Sequence, residues 1–447
     1  MKFRGLLIAV AALAVLGGLA YWSEKKQAAD AGKPSPDESP KVMTLPEDQF
    51  KEVRIEKEGA PPTVLAKDDA GNWRITQPQT LPADQDSVKS LVNTLSSVSS
   101  DRLIEEKAAS LGEFGLEDPP LEAVVTLKDG KTHKLLLGGE TPTGSGVFAK
   151  TESDPRIFTV ATWVKSSIDK GASDLRDKRL MTFDSDKLTR VELNAKGQSV
   201  EFGKNAANEW QIVKPRPLRA DNSQVEDLVR QLKDARMELG SDEDAKKAAS
   251  AFASSARVGV AQATDASGTQ TIEVRRDREK NYYARSSAVD GVYKVSSTLG
   301  EALDKGLEDF RNKKLFDFGW SEPGKVEIKR DGQTVAYQKS GENWTSGSKE
   351  MDASTVQSLI DKLRDLSASR FVDSAGGAPV MEATVTSNDG KRVETVTITK
   401  QGNNYYARRA NEPSVYELDA QTVEGLQTAA AGVKEKTAQD AKPAAKT

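Results

Sequence analysis

The strongest constraint on what this chain can fold into is a residue pattern that occurs three times. Each copy has a Trp, then an Asp, then apolar residues at the same offsets from that Asp. The copies are Trp73, Asp84, Val88, Leu91, Val92, Leu95 and Val98; Trp210, Asp221, Val225, Leu228, Val229, Leu232 and Ala235; and Trp344, Asp352, Val356, Leu359, Ile360, Leu363 and Leu366. Such repetition indicates three tandem copies of one structural unit.

The apolar residues of each copy have the spacing of one helix face. Positions i, i+3, i+4 and i+7 lie on one side of a helix with about 3.6 residues per turn. The preceding Asp is a preferred N-cap, because its carboxylate accepts hydrogen bonds from the free N–H groups of the first turn. In the second copy Gln224 lies three residues after Asp221, which predicts a capping box. Each copy should therefore contain one capped helix with a buried face.

Strand patterns surround each predicted helix. The segments 53–59, 63–69 and 72–76 precede the first helix and are separated by turn residues. Pairs of aromatic residues ten positions apart end each copy and predict a closing hairpin: Phe148 and Phe158, Tyr283 and Tyr293, and Tyr406 and Tyr416. The sequence thus predicts an α+β fold of three tandem repeats after an N-terminal transmembrane helix, each repeat an antiparallel sheet with a packed amphipathic helix.

These patterns divide the chain into six predicted segments. They are an N-terminal transmembrane anchor (1–22), a flexible tether (23–46), repeat 1 (47–183), repeat 2 (184–318), repeat 3 (319–433) and a disordered tail (434–447). The repeat boundaries rest on two related segments, 175–183 and 310–318. The tether and the tail are charged and poor in apolar residues, which is typical of chains that do not fold.

The anchor prediction rests on residues 6–22, which carry no charge. This is the short end of the length that a membrane-spanning helix needs. Tyr21 and Trp22 close the segment, where an interfacial aromatic belt is expected. The alternative is a cleaved signal peptide with a small-residue site at 18–20, but the aromatic pair directly after it favours an anchor. Two cations among residues 1–5 favour a cytoplasmic N-terminus, so we expect a single pass through the inner membrane and a periplasmic bulk.

Composition excludes several classes of function. The 447 residues carry a net charge of −4, which does not favour a nucleic-acid partner, since such a partner needs a clustered basic face. The chain has no cysteine, so disulfides, thiolate zinc sites, iron–sulfur clusters and Cys nucleophiles are excluded. We expect no cofactor and no bound metal.

The remaining motifs point to no catalytic site. The glycine-rich segment 138–146 lacks the Lys of a phosphate loop and follows a hairpin, so it is interpreted as a wide turn. His133 is the only histidine and shares a strand face with Leu135 and Leu137, which favours packing over catalysis. The 68 Asp and Glu residues leave a two-carboxylate hydrolase open as an alternative, although helix capping accounts for the three repeated Asp residues.

Cations recur beside the closing aromatics. Lys150, Arg285 and Arg408 each lie two residues after the first aromatic of the hairpin. Such pairs could stack on bases or bind sugars, and they form a candidate ligand or partner surface. The alternative is that the aromatics pack in the core and the cations face solvent.

The run 116–160 resembles the bacterial "domain of unknown function 4340" family. The resemblance lies in Gly115-Leu116-Glu117-Asp118-Pro119, a strand pair, the turn Gly138-Gly139-Glu140-Thr141-Pro142-Thr143-Gly144 and an aromatic closing strand. It covers about residues 50–180, and the later repeats are weaker and lack the turn. The family is one of unknown function, and the resemblance implies a membrane-anchored protein with an accessory role, since relatives are often encoded beside ABC-type transporter subunits. The family supplies no catalytic residues.

Taken together, the patterns predict a non-enzymatic, single-pass membrane protein that acts as a scaffold or accessory subunit. Its predicted partners are the membrane, through the N-terminal helix, and a membrane protein, for which an ABC-type transporter is a candidate. A periplasmic glycan- or lipid-binding module is the alternative function.

Overall fold

The computed structural model of the protein describes residues 40–238 and 242–437. The predicted anchor, including the interfacial residues Tyr21 and Trp22, lies outside the described residues. Within 40–238 and 242–437, every helix is too short or too polar to cross a bilayer. The chain divides into two compact units, Met1–Lys178 and Arg179–Thr447. Repeat 1 belongs to the first unit, and repeats 2 and 3 belong to the second.

Repeat 1 is one wide antiparallel sheet with helices on one face. Its elements are β1 (Lys41–Thr44), β2 (Phe50–Lys57), β3 (Thr63–Lys67), β4 (Trp73–Gln77), β5 (Leu81–Pro82), α1 (Gln85–Ser96), β6 (Ser97–Ser99), β7 (Arg102–Glu105), β8 (Leu121–Leu127), β9 (Thr132–Glu140), β10 (Gly146–Thr151), β11 (Ile157–Ala161), α2 (Thr162–Ile168) and α3 (Ala172–Leu175). The sheet order is β5-β4-β3-β2-β8-β9-β10-β11-β7, and β1 pairs separately with β6. The order joins two meanders through β2 and β8.

Repeat 2 repeats this arrangement with eight strands. Its elements are β12 (Arg190–Ala195), β13 (Gln198–Lys204), β14 (Trp210–Lys214), β15 (Leu218–Arg219), α4 (Asn222–Lys233), α5 (Asp242–Ser254), β16 (Ala256–Asp265), β17 (Gly268–Arg276), β18 (Tyr282–Ser286), β19 (Tyr293–Val295), α6 (Ser297–Leu303) and α7 (Leu307–Phe310). The order is β15-β14-β13-β12-β16-β17-β18-β19. Helix α5 is an insert between the second ladder and β16.

Repeat 3 has the same plan with nine strands. Its elements are β20 (Lys325–Arg330), β21 (Gln333–Ser340), β22 (Asn343–Ser346), β23 (Lys349–Met351), α8 (Ala353–Asp365), β24 (Arg370–Val372), β25 (Ala378–Ser387), β26 (Arg392–Gln401), β27 (Asn404–Arg409), β28 (Val415–Leu418) and α9 (Ala420–Ala431). The order β23-β22-β21-β20-β25-β26-β27-β28-β24 matches that of repeat 1. The antiparallel α+β prediction is confirmed.

The repeated ladder residues line each core, with the first four of each copy on α1, α4 or α8 and the last one just after the helix. Every one of them is buried, against the alternating apolar residues of the sheet. The N-cap prediction is also confirmed, since the carboxylates of Asp84, Asp221 and Asp352 accept from the backbone N–H of Ser87, Gln224 and Thr355. The three cores are separate hydrophobic clusters, so each repeat has its own interior.

The capping box at Gln224 is wrong. The backbone N–H of Asp221 donates to the carbonyl of Phe310 at 2.8 Å, and the Gln224 side chain accepts from Lys305 at 3.0 Å. Equivalent bonds run from Asp84 N–H to the carbonyl of residue 175, and from Asp352 N–H to that of residue 434, both near 2.8–2.9 Å. A backbone carbonyl near the end of each repeat thus accepts from the N-cap N–H, the donor that a capping box would use.

The structure shifts four segment edges. Residues 41–44 lie in β1 although the sequence placed them in the tether. Residues 180–183 pack in the core of repeat 2, and 315–318 in that of repeat 3, so both repeats begin earlier than 184 and 319. Glu435, assigned to the tail, forms a backbone bridge with Met351. Each shift has one cause: short apolar or extended runs next to charged sequence carry little periodicity.

Candidate functional site

The three recurring cations lie in different sheets. Lys150, Arg285 and Arg408 are on β10, β18 and β27. The Lys150 ammonium donates to the backbone carbonyl of Asp154, and Arg408 donates to that of Ala375 at 2.9 Å. Each cation therefore has a partner inside its own repeat, and a ligand role for them stays a prediction.

Arg285 also contacts the insert helix of repeat 2. Its guanidinium lies 3.1 Å from Glu273 and 5.5 Å from the ring centre of Phe252 on α5. Arg275 stands 4.5 Å from the same ring. The pair of arginines thus holds α5 against the outer face of β17 and β18, which accounts for the Arg285 position without a ligand.

The repeated tryptophans are core residues, as the packing interpretation expects. Trp73, Trp210 and Trp344 are all buried. In the first two repeats a side chain at the helix start also fixes the Trp backbone, since the N–H of Trp73 donates to Gln85 at 2.9 Å and that of Trp210 donates to Asn222 at 2.7 Å. These bonds tie the helix N-terminus to the adjacent strand.

A lysine faces each tryptophan across a hairpin. The ammonium groups of Lys67 and Lys204 lie 5.1 Å from the ring centres of Trp73 and Trp210. In repeat 3 the equivalent Lys339 pairs with Trp344 in the strand register and forms an ion pair with Glu322. The cation–π contact therefore distinguishes the first two repeats from the third.

A charged cluster closes the start of repeat 3. The backbone N–H of Asp317 donates to both carboxylate oxygens of Glu394, at 2.9 and 3.2 Å. Glu394 is only 6% exposed and accepts from Arg409 at 3.1 Å. Arg409 also donates to the carbonyl of Leu315. A buried carboxylate and a nearly buried guanidinium thus hold the segment 315–317 on the sheet.

Arg219 extends this cluster into repeat 2. It lies on β15 and donates to the carboxylate of Asp317, to the carbonyl of Lys314 at 2.9 Å and to the hydroxyl of Tyr416 at 3.2 Å. Its Nε lies 3.6 Å from Glu412. One side chain of repeat 2 therefore contacts four residues that lie in or border repeat 3.

Glu412 and Tyr416 complete the cluster. Tyr416 donates to Glu412 at 2.9 Å, and Glu412 accepts from Arg409 at 2.7 Å. Burial raises the pKa of Tyr416 to about 12. Burial would lower the pKa of Arg219, but Asp317, Tyr416 and Glu412 together outweigh burial and the net shift is upward. We call Arg219, Asp317, Glu394, Arg409, Glu412 and Tyr416 the joint network.

Two further arginines link repeats 2 and 3. Arg392 donates to Glu209 on the repeat 2 side at 2.9 Å and to the carbonyl of Asp317 at 2.7 Å. Hydrogen bonds from Asn205 and Arg392 lower the pKa of Glu209. Arg311 donates to Ser414 at 3.0 Å and lies 3.4 Å from the ring centre of Phe371. The Arg392–Glu209 pair, and the contacts of Arg311 with Ser414 and Phe371, thus cross between the two repeats.

A polar cleft of about 180 Å³ lies beside the joint network. Its walls combine amide, guanidinium and carboxylate groups with one tryptophan edge: Asn205, Glu209, Trp210, Gln211, Arg219, Ala220, Asn222, Asn312, Asp317 and Arg392. Most of these groups bind one another, for example Asn312 to Asp317 at 3.0 Å. Within residues 40–238 and 242–437 there is no cluster of three or more His, Asp or Glu side chains suited to a metal ion.

At the start of repeat 2, neutral residues occupy the positions that match three members of the joint network. Thr182, Gln270 and Ser286 align with Asp317, Glu394 and Arg409. The N–H of Thr182 donates to Gln270 at 2.8 Å, and Ser286 donates to the carbonyl of Leu180. Pro82 and Asn72 of repeat 1 occupy the positions that Arg219 and Glu209 have in repeat 2. Gly268 of repeat 2 occupies the position that Arg392 has in repeat 3.

Sequence reasoning missed the joint network altogether. Its members are far apart in sequence, for instance 77 residues between Asp317 and Glu394. The available signal was the set of differences between copies, because Asp317 replaces Thr182 and Arg409 replaces Ser286 in otherwise matching segments. A comparison of the repeats for substitutions from neutral to charged residues would have found it.

The family comparison matches most of the chain. A sequence profile described as Domain of unknown function (DUF4340) matches residues 73–209 and again 210–384. Each match begins at a repeated tryptophan, Trp73 or Trp210, so each runs from β4 or β14 into the following repeat. No curated protein matches the chain.

Proposed function

The chain belongs to the family described as Domain of unknown function (DUF4340), and from this premise we propose that it is a non-enzymatic scaffold or accessory subunit of a membrane complex. The observation that carries the proposal is the joint network. Breaking a buried charge cluster by loss of one member is strongly unfavourable, so the network favours one fixed arrangement of repeats 2 and 3. A fixed two-repeat surface suits a protein that positions partners.

The chemistry of the cleft favours this function over catalysis. A catalytic acid or base needs access to a substrate proton. Here the carboxylates of Glu209, Asp317 and Glu394 are occupied by guanidinium or backbone donors. These groups serve each other, and the cleft is therefore better suited to holding structure than to transferring protons.

The membrane part of the proposal rests on the sequence. Residues 6–22 are uncharged and end in Tyr21 and Trp22, which supports an uncleaved single-pass anchor. The cation bias of residues 1–5 supports a periplasmic location for the repeats. An ABC-type permease is the partner that the family resemblance suggests.

The test is purification of the tagged full-length protein from native membranes in mild detergent. We expect a membrane protein to co-purify in stoichiometric amount, and the double variant Arg219→Ala, Arg392→Ala to retain less of it because repeats 2 and 3 lose their fixed arrangement. The variant Lys329→Ala, an exposed cation of repeat 3, is the matched control. A monomer without a partner in several detergents would contradict the proposal.

The cleft favours one second candidate, a glycan-binding module. Planar amide and guanidinium side chains beside Trp210 could bind hydroxyl and amide groups of cell-wall sugars. Retention of the full chain on isolated cell-wall material should then fall in Gln211→Ala, which changes a cleft residue. The pair Arg285→Ala and Arg408→Ala tests the hairpin cations in the same assay. Unchanged retention in all three variants would exclude this function.

A further inference from the structure

One large aromatic side chain of repeat 1 faces solvent. Trp163 on α2 is 61% exposed, while Val164 and Ile168 of the same helix are buried. Aligning Val164 with Leu299 and Val423 places Thr298 and Thr422 at the Trp163 position in the other repeats. The exposed tryptophan therefore is not required by the shared fold.

Trp163 lies on the side of the sheet where the chain enters repeat 1. Both α2 and β1 pack against α1, and both contact β10. The carbonyl of Pro40, directly before β1, accepts from the N–H of Ser100 at 2.8 Å. The start of the described chain and the exposed tryptophan thus share the helix-bearing side of this unit.

The preceding sequence limits how far this side can be from a bilayer. Only residues 23–39 separate the predicted anchor from Pro40, which is 17 residues. Their contour is at most about 60 Å at 3.3–3.6 Å per residue. An anchored chain therefore keeps Pro40 within about 60 Å of the bilayer surface.

We propose that the α2 side of repeat 1 rests on the membrane, with Trp163 in the lipid headgroup region. The occupant of this surface is the bilayer, because tryptophan has an apolar body and a polar N–H that suit the interface. A single side chain binds lipid weakly. Attachment through the anchor makes the contact intramolecular and raises the effective concentration of lipid around it. The inference rests on the proposed anchor.

The absence of cysteine allows a clean test in the full-length protein. Ser166, exposed and one turn after Trp163, is changed to Cys and labelled with an environment-sensitive fluorophore. Ser321, beside Trp320, which is 90% exposed in the second unit, is the matched position. The protein is reconstituted in phospholipid vesicles that contain spin-labelled lipid, and each label is also measured with its neighbouring Trp changed to Ala.

We expect quenching of the label at 166 to exceed that at 321, and Trp163→Ala to remove the excess while Trp320→Ala changes nothing. Equal quenching at the two positions, or an excess that survives Trp163→Ala, would overturn the proposal. Alkaline extraction of the same vesicles tests the anchor separately. Release of the chain would overturn the anchor and the contact together, whereas retention with equal quenching would overturn the contact alone.

Discussion

The starts of repeats 2 and 3 are closed by side chains at matching positions, which are neutral in repeat 2 and charged in repeat 3. At the start of repeat 2 they are the neutral residues Thr182, Gln270 and Ser286, and at the start of repeat 3 the charged residues Asp317, Glu394 and Arg409. In both, a strand side chain accepts from the backbone N–H of the incoming segment. In both, a hairpin side chain donates to the carbonyl two residues before that N–H.

This comparison separates what the fold requires from what has been added. Closing the incoming segment needs one acceptor and one donor, and neutral side chains supply them. Charged side chains do the same and can also bind a second layer of partners, here Arg219, Glu412 and Tyr416. The added charges thus connect repeat 3 to repeat 2, which the shared fold does not demand.

The largest expected effect comes from giving each N–H acceptor the side chain that the other repeat has, through Glu394→Gln and Gln270→Glu. Glu394→Gln keeps an acceptor for Asp317 N–H but removes the charge opposite Arg409, so we expect a loss of about 1.5–3 kcal/mol in the opening free energy of β26 and β28. Native-state hydrogen exchange of the full chain measures it. Gln270→Glu in repeat 2 should change the opening of β17 by no more than about 0.5 kcal/mol. Equal effects at the two positions would contradict the comparison.

A smaller effect is expected for Tyr416→Phe. Loss of the bonds to Glu412 and Arg219 should cost about 1–1.5 kcal/mol of unfolding free energy. Because burial raises the pKa of Tyr416 from 10.0 to about 12, the stabilisation by its neutral form is complete below pH 10 and is lost as the pH rises through 12. Urea unfolding followed by tryptophan fluorescence should show the gap between wild type and variant narrowing above pH 10. A gap that widens there would refute the assignment.

The smallest effect concerns the lysines opposite the tryptophans. Lys67→Ala and Lys204→Ala should each destabilise their own repeat by about 0.5–1 kcal/mol, since each removes a cation–π contact. Lys339→Ala removes only a partly exposed ion pair with Glu322, which contributes about 0–1 kcal/mol and is screened by salt. Hydrogen exchange of each variant, measured over a range of salt concentrations, distinguishes the two kinds of contact. A destabilisation that falls with salt in Lys204→Ala but not in Lys339→Ala would contradict this assignment.

Local patterns predicted the elements of the fold well. The ladder Val88, Leu91, Val92 and Leu95 specified α1 and its buried face, because helix geometry translates spacing directly into a side. The cap at Asp84 follows equally from local chemistry. Alternation and turn residues predicted the meanders for the same reason.

Contacts between distant segments could not be predicted from the same patterns. The capping box failed because Asp221 N–H binds the carbonyl of Phe310, 89 residues later, which no local rule includes. Arg219 and Asp317 are 98 residues apart, and each alone has the character of an ordinary surface charge. Only the fold places them together, and the site therefore emerged from the structure.

Charges join repeats 2 and 3, and a double-mutant cycle on Arg219 and Asp317 measures this coupling. The variants are Arg219→Ala, Asp317→Ala and both together in the full chain, with hydrogen exchange of β15 and β28 as the measurement. We expect a coupling free energy of about 0.5–3 kcal/mol, because each variant removes the same part-buried contact. Additive effects at the two positions would contradict it.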